Sequence, residues 1–233
     1  MLLGRYLASD GRGVREDPRP YAVVAVGKAA EGMLTALRRR LEAPCRQAVL
    51  VTPSAPSAAA PPSTTVLVAG HPVPTAASVQ AGSRVLRLAR GLGRDDRLIV
   101  LLSGGASALL SVPSPPVTLS EKVLATRLLL EAGASIHELN AVRKHLSSIK
   151  GGQLAAATRA SVATFALSDV VWPVEDDASV IGSGPTVVDP STFADALAVI
   201  ERFGLRAGVP PAAVTRLERG ARGEEPETPK RAE

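Results

Sequence analysis

The sequence predicts an α/β domain of three layers, a mostly parallel sheet with helices on both faces. Three observations lead there. Short apolar runs alternate along the chain with segments of helical period. The runs are continuous rather than alternating, the pattern of strands buried on both faces. Glycines and small polar residues follow several of the runs directly, at the carboxyl ends of strands where ligands sit in such sheets.

Tyr21–Val26, between Pro20 and Gly27, reads as the first strand. Lys28–Leu41 carries Met33, Leu34, Leu37 and Leu41 on one helical face. Ala48–Val51 is a second strand, and 52–63, rich in Pro, Ser and Ala, is a surface loop. Thr65–Val68 is a third strand. Thr75 caps a helix with Val79, Val85, Leu86 and Leu88 on its apolar side. Leu98–Leu102 is the most apolar strand and runs through Ser103-Gly104-Gly105 into a small-residue helix, Ala106–Leu110.

Helices follow over Thr118–Glu131, with Thr118 or Ser120 as N-cap, and over Ser135–Ile149, stopped by Gly133 and by Gly151-Gly152. Val162–Leu167 is a strand. Asp189-Pro190-Ser191 opens a helix to Phe203, and Pro210 opens the last one, to Arg219. The whole is Rossmann-like. Residues 1–219 are expected as one domain and 220–233 as a linker or disordered tail, being charged and without apolar residues beyond Ala.

Composition narrows the function. The 233 residues carry a net charge of +5, which raises nucleic acid as a partner, but aromatics are 3 % and the arginines are scattered, so stacking recognition is excluded. No apolar run reaches the roughly 18 residues of a membrane span. One cysteine, Cys45, and no secretory signal point to a cytoplasmic protein. Lysine is scarce: Lys28, Lys122, Lys144, Lys150 and Lys230.

Several segments carry candidate chemistry. A strand that empties through Ser103-Gly104-Gly105 into a helix, with Ser107 in its first turn, favours an anion such as a phosphate. It is not a Walker A loop, since no G-x-x-x-x-G-K-[ST] occurs. Lys28 follows the first strand at a helix N-terminus, where a cation is electrostatically unwelcome unless it serves a ligand. On the helix from Ser135, Asn140, Arg143, Ser147 and Lys150 form a polar stripe ending at Gly151-Gly152, suited to an anion or simply a solvated basic face. Asp169, after a strand, is a candidate metal ligand, proton acceptor or turn residue. Gly182-Ser183-Gly184 is an anion nest or a plain turn. No G-x-G-x-x-G follows the first strand, so a nicotinamide site is not expected, and His71, His137 and His145 show no metal-ligand spacing.

Seven segments in register, Val24–Ala29, Ala69–Pro74, Leu102–Leu109, Glu138–Ser147, Ile149–Ala155, Leu167–Val170 and Gly182–Thr186, resemble the glycerate 2-kinase (type II glycerate kinase) family. The resemblance implies ATP-dependent phosphorylation of D-glycerate at its 2-hydroxyl, with Mg²⁺. It implies catalytic roles for Lys28 and Asp169, Asp169 being the candidate metal residue. It implies phosphate or substrate binding by Ser103, Gly104, Gly105, Ser107, Arg143, Lys150 and Gly151, to which the polar stripe adds Asn140 and the glycine turn adds Ser183 and Gly184 as candidates.

The chain departs from the family pattern at Ala106, where a third glycine is usual, and over Val171–Asp176. The family's C-terminal half, often called MOFRL, has no counterpart here, so the expectation is an N-terminal half with little activity alone. A separately encoded second half and a homodimer are open as partners. The competing readings are a non-catalytic phosphate- or nucleotide-binding module and a hydroxypyruvate reductase. The second of these lacks its nicotinamide fingerprint.

Overall fold

The computed structural model describes residues 17–168 and 177–230; Asp169 and the Val171–Asp176 stretch lie outside the described residues. In chain order the elements are β1 (Tyr21–Val26), α1 (Ala30–Arg38), β2 (Cys45–Thr52), β3 (Thr64–Val68), α2 (Ala76–Arg90) and β4 (Arg97–Ser103). After β4 come α3 (Ala106–Leu109), α4 (Leu119–Glu131), α5 (Ile136–His145), α6 (Gln153–Ala156) and β5 (Ser161–Leu167). A 3₁₀ turn (Ile181–Ser183), α7 (Phe193–Arg202) and α8 (Pro211–Ala221) complete the order.

The strands form one sheet in the order β3-β2-β1-β4-β5, every pair parallel. The strand order reverses between β1 and β4, so the crevice outside their carboxyl ends is the place for a ligand. The central strand shows why apolar runs read as strands. Ala22, Val24 and Val26 face a core shared with Val85, Leu86 and Leu88 of α2. Tyr21, Val23 and Ala25 face the other side, against Met33 and Leu34 of α1. Both sets are fully buried, each side chain contributing roughly 1.5–3 kcal/mol for the larger residues. A third core belongs to the helices alone: Ala125 and Leu129 of α4, Leu139 and Val142 of α5, Phe193 and Ile200 of α7, and Leu217 of α8.

The helix caps follow the sequence. Thr118 accepts the Glu121 N–H while Glu121 accepts the Thr118 N–H, and Ser135 pairs likewise with Glu138. Two expectations change. The helix expected over Ser135–Ile149 ends at His145, because the chain beyond it pairs with another segment. Ser148 N–H donates to Val112 O, Ser114 N–H donates to Leu146 O, and Pro113 bridges Ser147. The expected single polar stripe is therefore broken, and the Ser147 hydroxyl donates to Val112 O instead of facing a ligand.

The second change is at the C-terminal end. Residues 222–230, expected as a linker or disordered tail, lie against the domain. Asp189 N–H donates to Pro229 O at 2.9 Å, Thr228 Oγ1 donates to Asp189 Oδ2 at 2.9 Å, and Glu227 accepts from Phe193 N–H. The contacts are polar, so composition gave no sign of them. Asp189, expected to open a helix, instead lies fully buried ahead of Thr192, the actual N-cap of α7.

Candidate active site

The crevice at the strand-order reversal is built by close backbone approach. Gly27 leaves β1 at φ +127°, and a Cβ there would lie 2.2 Å from Ser103 Oγ and 2.6 Å from Ser103 O. Only glycine lets the ends of β1 and β4 touch. Lys28 N–H then donates to Gly104 O at 2.9 Å, and Ala29 N–H to Ser103 Oγ at 3.0 Å. The Lys28 side chain projects from this junction into solvent. Over the same turn lies His71, whose ring atoms come within 2.8 Å of where a Cβ on Gly105 would be. Ala106 is the first residue of α3 and keeps a negative φ, so the glycine expected there by resemblance is not required by the backbone.

Ser107, in the first turn of α3, is the hub of a second, deeper cluster. The Arg143 guanidinium donates to Ser107 Oγ. Lys150 Nζ donates to Ser107 O at 2.8 Å and to Ser107 Oγ at 2.9 Å. Ser107 Oγ also lies 2.9 Å from Ser183 Oγ, and Ser183 donates to Asn140 Oδ1 at 3.0 Å. Thus Asn140 and Arg143 of α5 meet Ser107, Lys150 and Ser183. Lys150 reaches the site through the turn after α5, not as the next step of a helical stripe.

The 3₁₀ segment is held by interlaced glycine turns. Gly151 N–H donates to Ser183 O at 3.0 Å and Gly152 N–H to Gly184 O at 2.7 Å. Gly182, Ser183 and Gly184 all have positive φ. As a nest this segment offers less than expected, since Ser183 N–H is already donated to Val180 O and Gly184 N–H to Ile181 O. What it presents to the cluster is the Ser183 hydroxyl, held at φ +62°, a conformation costly outside glycine and typical of sites where position matters. Gly151 and Gly184 support the cluster rather than line it.

Charge sets this cluster apart. Lys150 is 2 % exposed and Lys122, from α4, is 4 % exposed. Burial pushes the Lys122 ammonium well below the usual lysine range, with Arg143 and Arg216 adding to the effect. Burial does the same to Lys150, followed by Arg143 and Lys122. Burial alone brings Arg143 down to about 10. No carboxylate among the described residues acts on any of the three. Lys122 Nζ and Asn140 Nδ2 are buried with no hydrogen-bond partner among the described residues. Burying like charges without an anion is expensive, and the orphaned donors match an oxyanion. Among the described residues no group of three His, Cys, Asp or Glu side chains is placed to hold a metal.

The sequence-derived residues therefore fall into two adjoining groups. Lys28, Ser103, Gly104 and Gly105 sit at the crevice; Ser107, Asn140, Arg143, Lys150 and Ser183 converge beside it. Lys122 and His71 were not picked out as site residues. The scarcity of lysine was the only signal for Lys122, and the Gly-His-Pro segment for His71.

The sheet order and the crevice at its reversal define a Rossmann-like α/β domain. The family model described as "Domain of unknown function (DUF4147)" matches residues 5–218. The chain belongs to that family, and in sequence and structure it matches the glycerate kinase family. It is 42 % identical over 184 residues to the D-glycerate 2-kinase of Thermotoga maritima, covering 78 % of this chain and 43 % of that one. It is 49 % identical over 141 residues to an Agrobacterium vitis protein provisionally named a hydroxypyruvate reductase, covering 60 % of this chain and 32 % of that one. The crystal structure of Thermotoga maritima glycerate kinase superposes with a TM-score of 0.82 at 38 % identity, over 91 % of this chain and 49 % of that one. The chain thus spans between a third and half of the length of these relatives. No helix among the described residues is long and apolar enough to cross a membrane.

Proposed function

We propose that this chain supplies one wall of the catalytic cleft of a D-glycerate 2-kinase, which transfers the γ-phosphoryl group of ATP to the 2-hydroxyl of D-glycerate. The observation that carries the reading is the Ser107-centred cluster: three buried cations, two orphaned donors and no carboxylate among the described residues. The names of relatives supply the substrate, and the cluster supplies the reason a small polyanionic reaction belongs here.

Phosphoryl transfer asks a protein mainly for positioning and charge stabilisation. In this reading the new bond forms between the glycerate 2-oxygen and the γ-phosphorus, and the bond to ADP breaks. Lys28, free at the crevice mouth, and Arg143 offset the charge on the phosphoryl oxygens. Ser103, Gly104 and Gly105 shape the crevice floor. Ser107, held by Arg143 and Lys150, fixes the two cations relative to each other. Asp169, in its family role, either takes the hydroxyl proton or holds Mg²⁺. Mg²⁺, when bound with ATP, neutralises phosphate charge. The cytoplasm, as the compartment of ATP and small hydroxy acids, fits the single cysteine.

The test is D-glycerate-dependent release of ADP with identification of 2-phosphoglycerate. It is run with this chain alone and with a polypeptide corresponding to the rest of the relatives' length. We expect little turnover by the chain alone and turnover when the second wall is supplied, because one wall neither orients both substrates nor excludes water. Absence of glycerate-dependent ADP release in both arms, or NADH consumption with hydroxypyruvate, overturns the reading.

A further inference from the structure

The cluster around Ser107 contains more donors than the described residues satisfy. Arg143 and Lys150 spend theirs on Ser107, and Lys150 adds Gly182 O at 3.5 Å. Lys122 spends none. It comes from α4, which packs against α5, and is 4 % exposed within electrostatic reach of Arg143 and Arg216. Asn140 spends only its oxygen, on the Ser183 hydroxyl, while its amide nitrogen is buried and unpaired. Elsewhere this fold does not leave a buried lysine alone. Lys144, one residue after Arg143, is just as buried and sits 3.2 Å from the carboxylate of Asp189.

We infer that Lys122 and Asn140 are ligand-binding residues, forming with Arg143 and Lys150 the closed end of a site for a small oxyanion. The inference extends the kinase reading above, from which it takes the cluster as a substrate site. Depth selects the ligand. Lys122, Asn140 and Lys150 are each at most 4 % exposed, so the group reaching them is a carboxylate or a terminal phosphoryl group and not a nucleoside. Ammonium, guanidinium and amide nitrogens are all donors and cannot accept, so they match a group that only accepts. Binding gives the three cations the counter-charge that no described carboxylate supplies. The anion is thereby held by relief of repulsion as well as by hydrogen bonds.

The inference makes two demands that a structural lysine does not satisfy together. Replacing Lys122 by the similarly sized apolar methionine removes a buried donor with no partner, so the free protein becomes more stable. The same change weakens the anion. The experiment is thermal unfolding of the wild type and Lys122→Met, alone and across titrations of D-glycerate and of inorganic phosphate at constant ionic strength. Arg127→Gln, an exposed change on the same helix, serves as the control.

We expect saturable stabilisation of the wild type by at least one anion. We also expect a higher melting temperature for unliganded Lys122→Met, with at least a tenfold weaker apparent affinity, and no change for Arg127→Gln. Stronger stabilisation by D-glycerate assigns the site to the substrate carboxylate, and stronger stabilisation by phosphate assigns it to the transferred group. A Lys122→Met protein that melts lower, fails to fold or keeps wild-type affinity overturns the inference, as does a wild type that neither anion stabilises. Anion binding without kinase turnover would refute the kinase reading alone.

Discussion

Arg143 and Lys144 are neighbours on α5, and they enter two opposite kinds of buried site. Lys144 meets Asp189 at 3.2 Å, and that carboxylate also accepts from the Ser191 hydroxyl at 2.7 Å and the Thr228 hydroxyl at 2.9 Å. Arg143 meets a serine shared with a second buried cation, and a third cation lies within electrostatic reach. One site pairs a cation with a hydrogen-bonded carboxylate; the other, among the described residues, holds charge of one sign. The first ties the C-terminal segment to α5 and α7. The second is complete only when something anionic arrives. A buried charge with its partner is a structural device, whereas buried like charges without one mark a place prepared for a ligand.

The largest effect comes from breaking the neutral site. Asp189→Asn keeps the shape and the hydroxyl contacts but leaves Lys144 buried without a counter-charge, which costs about 3–5 kcal/mol. Chemical denaturation measures it. Adding Lys144→Met to that variant recovers a large part of the loss, because the stranded charge is gone. If the double variant is no more stable than Asp189→Asn alone, the pair is not what stabilises this corner.

A smaller effect comes from pH. Burial alone would raise the Asp189 carboxyl, but the Ser191 hydroxyl, the Lys144 charge and the Thr228 hydroxyl hold it below 3.8. Glu227 is likewise held below 4.5, its contacts to Phe193 N–H, His145 and Lys230 outweighing burial. With the folded values depressed, their stabilisation is complete above the unfolded values. It is lost as pH falls through the folded ones, since the unfolded chain then binds more protons. Lys122, whose folded value is depressed below 10.5, contributes in alkaline solution. There the unfolded chain again binds more protons, and stability rises with pH between the two values. Melting curves from pH 7 to pH 3 should show the C-terminal segment loosening first, read by proteolysis near residue 222. A segment that stays protected to pH 3 contradicts the role given to Asp189 and Glu227.

The smallest effect on stability sharpens the contrast furthest. Lys28 is exposed and its side chain makes no hydrogen bond among the described residues, so Lys28→Ala should change unfolding free energy by less than about 0.5 kcal/mol. In the presence of the second wall it should abolish most glycerate-dependent turnover. Full turnover by Lys28→Ala would remove it from the chemistry.

The strands were legible because a parallel sheet covered on both sides requires unbroken apolar runs, and Tyr21–Val26 and Leu98–Leu102 supply them. The helix starts were legible to within a residue or two, Thr118 or Ser120 for the first; the structure settles on Thr118 and Ser135, each closing a box with the glutamate three residues on. Arg143 and Lys150 were named together for a reason that fails in part. The helical period assumed a helix through Ile149, but pairing with 112–114 ends it at His145. They meet because a turn brings Lys150 back to Ser107. The docked segment at 222–230 was illegible, since it is held by polar contacts to Asp189, His145 and Phe193 from distant parts of the chain.

Local rules, periodicity, caps and glycine placement, were enough to determine the α/β class of this protein and the crowding of chemistry at its strand ends. They act over a few residues, and such rules are written in the sequence. Whether a buried cation has a partner is a matter of which distant segments share one space. Lys144 and Lys122 are equally ordinary helix lysines in the sequence. Only tertiary packing gave one of them Asp189 and left the other beside Arg143, because the cost of burying a charge is set by neighbours tens of residues away.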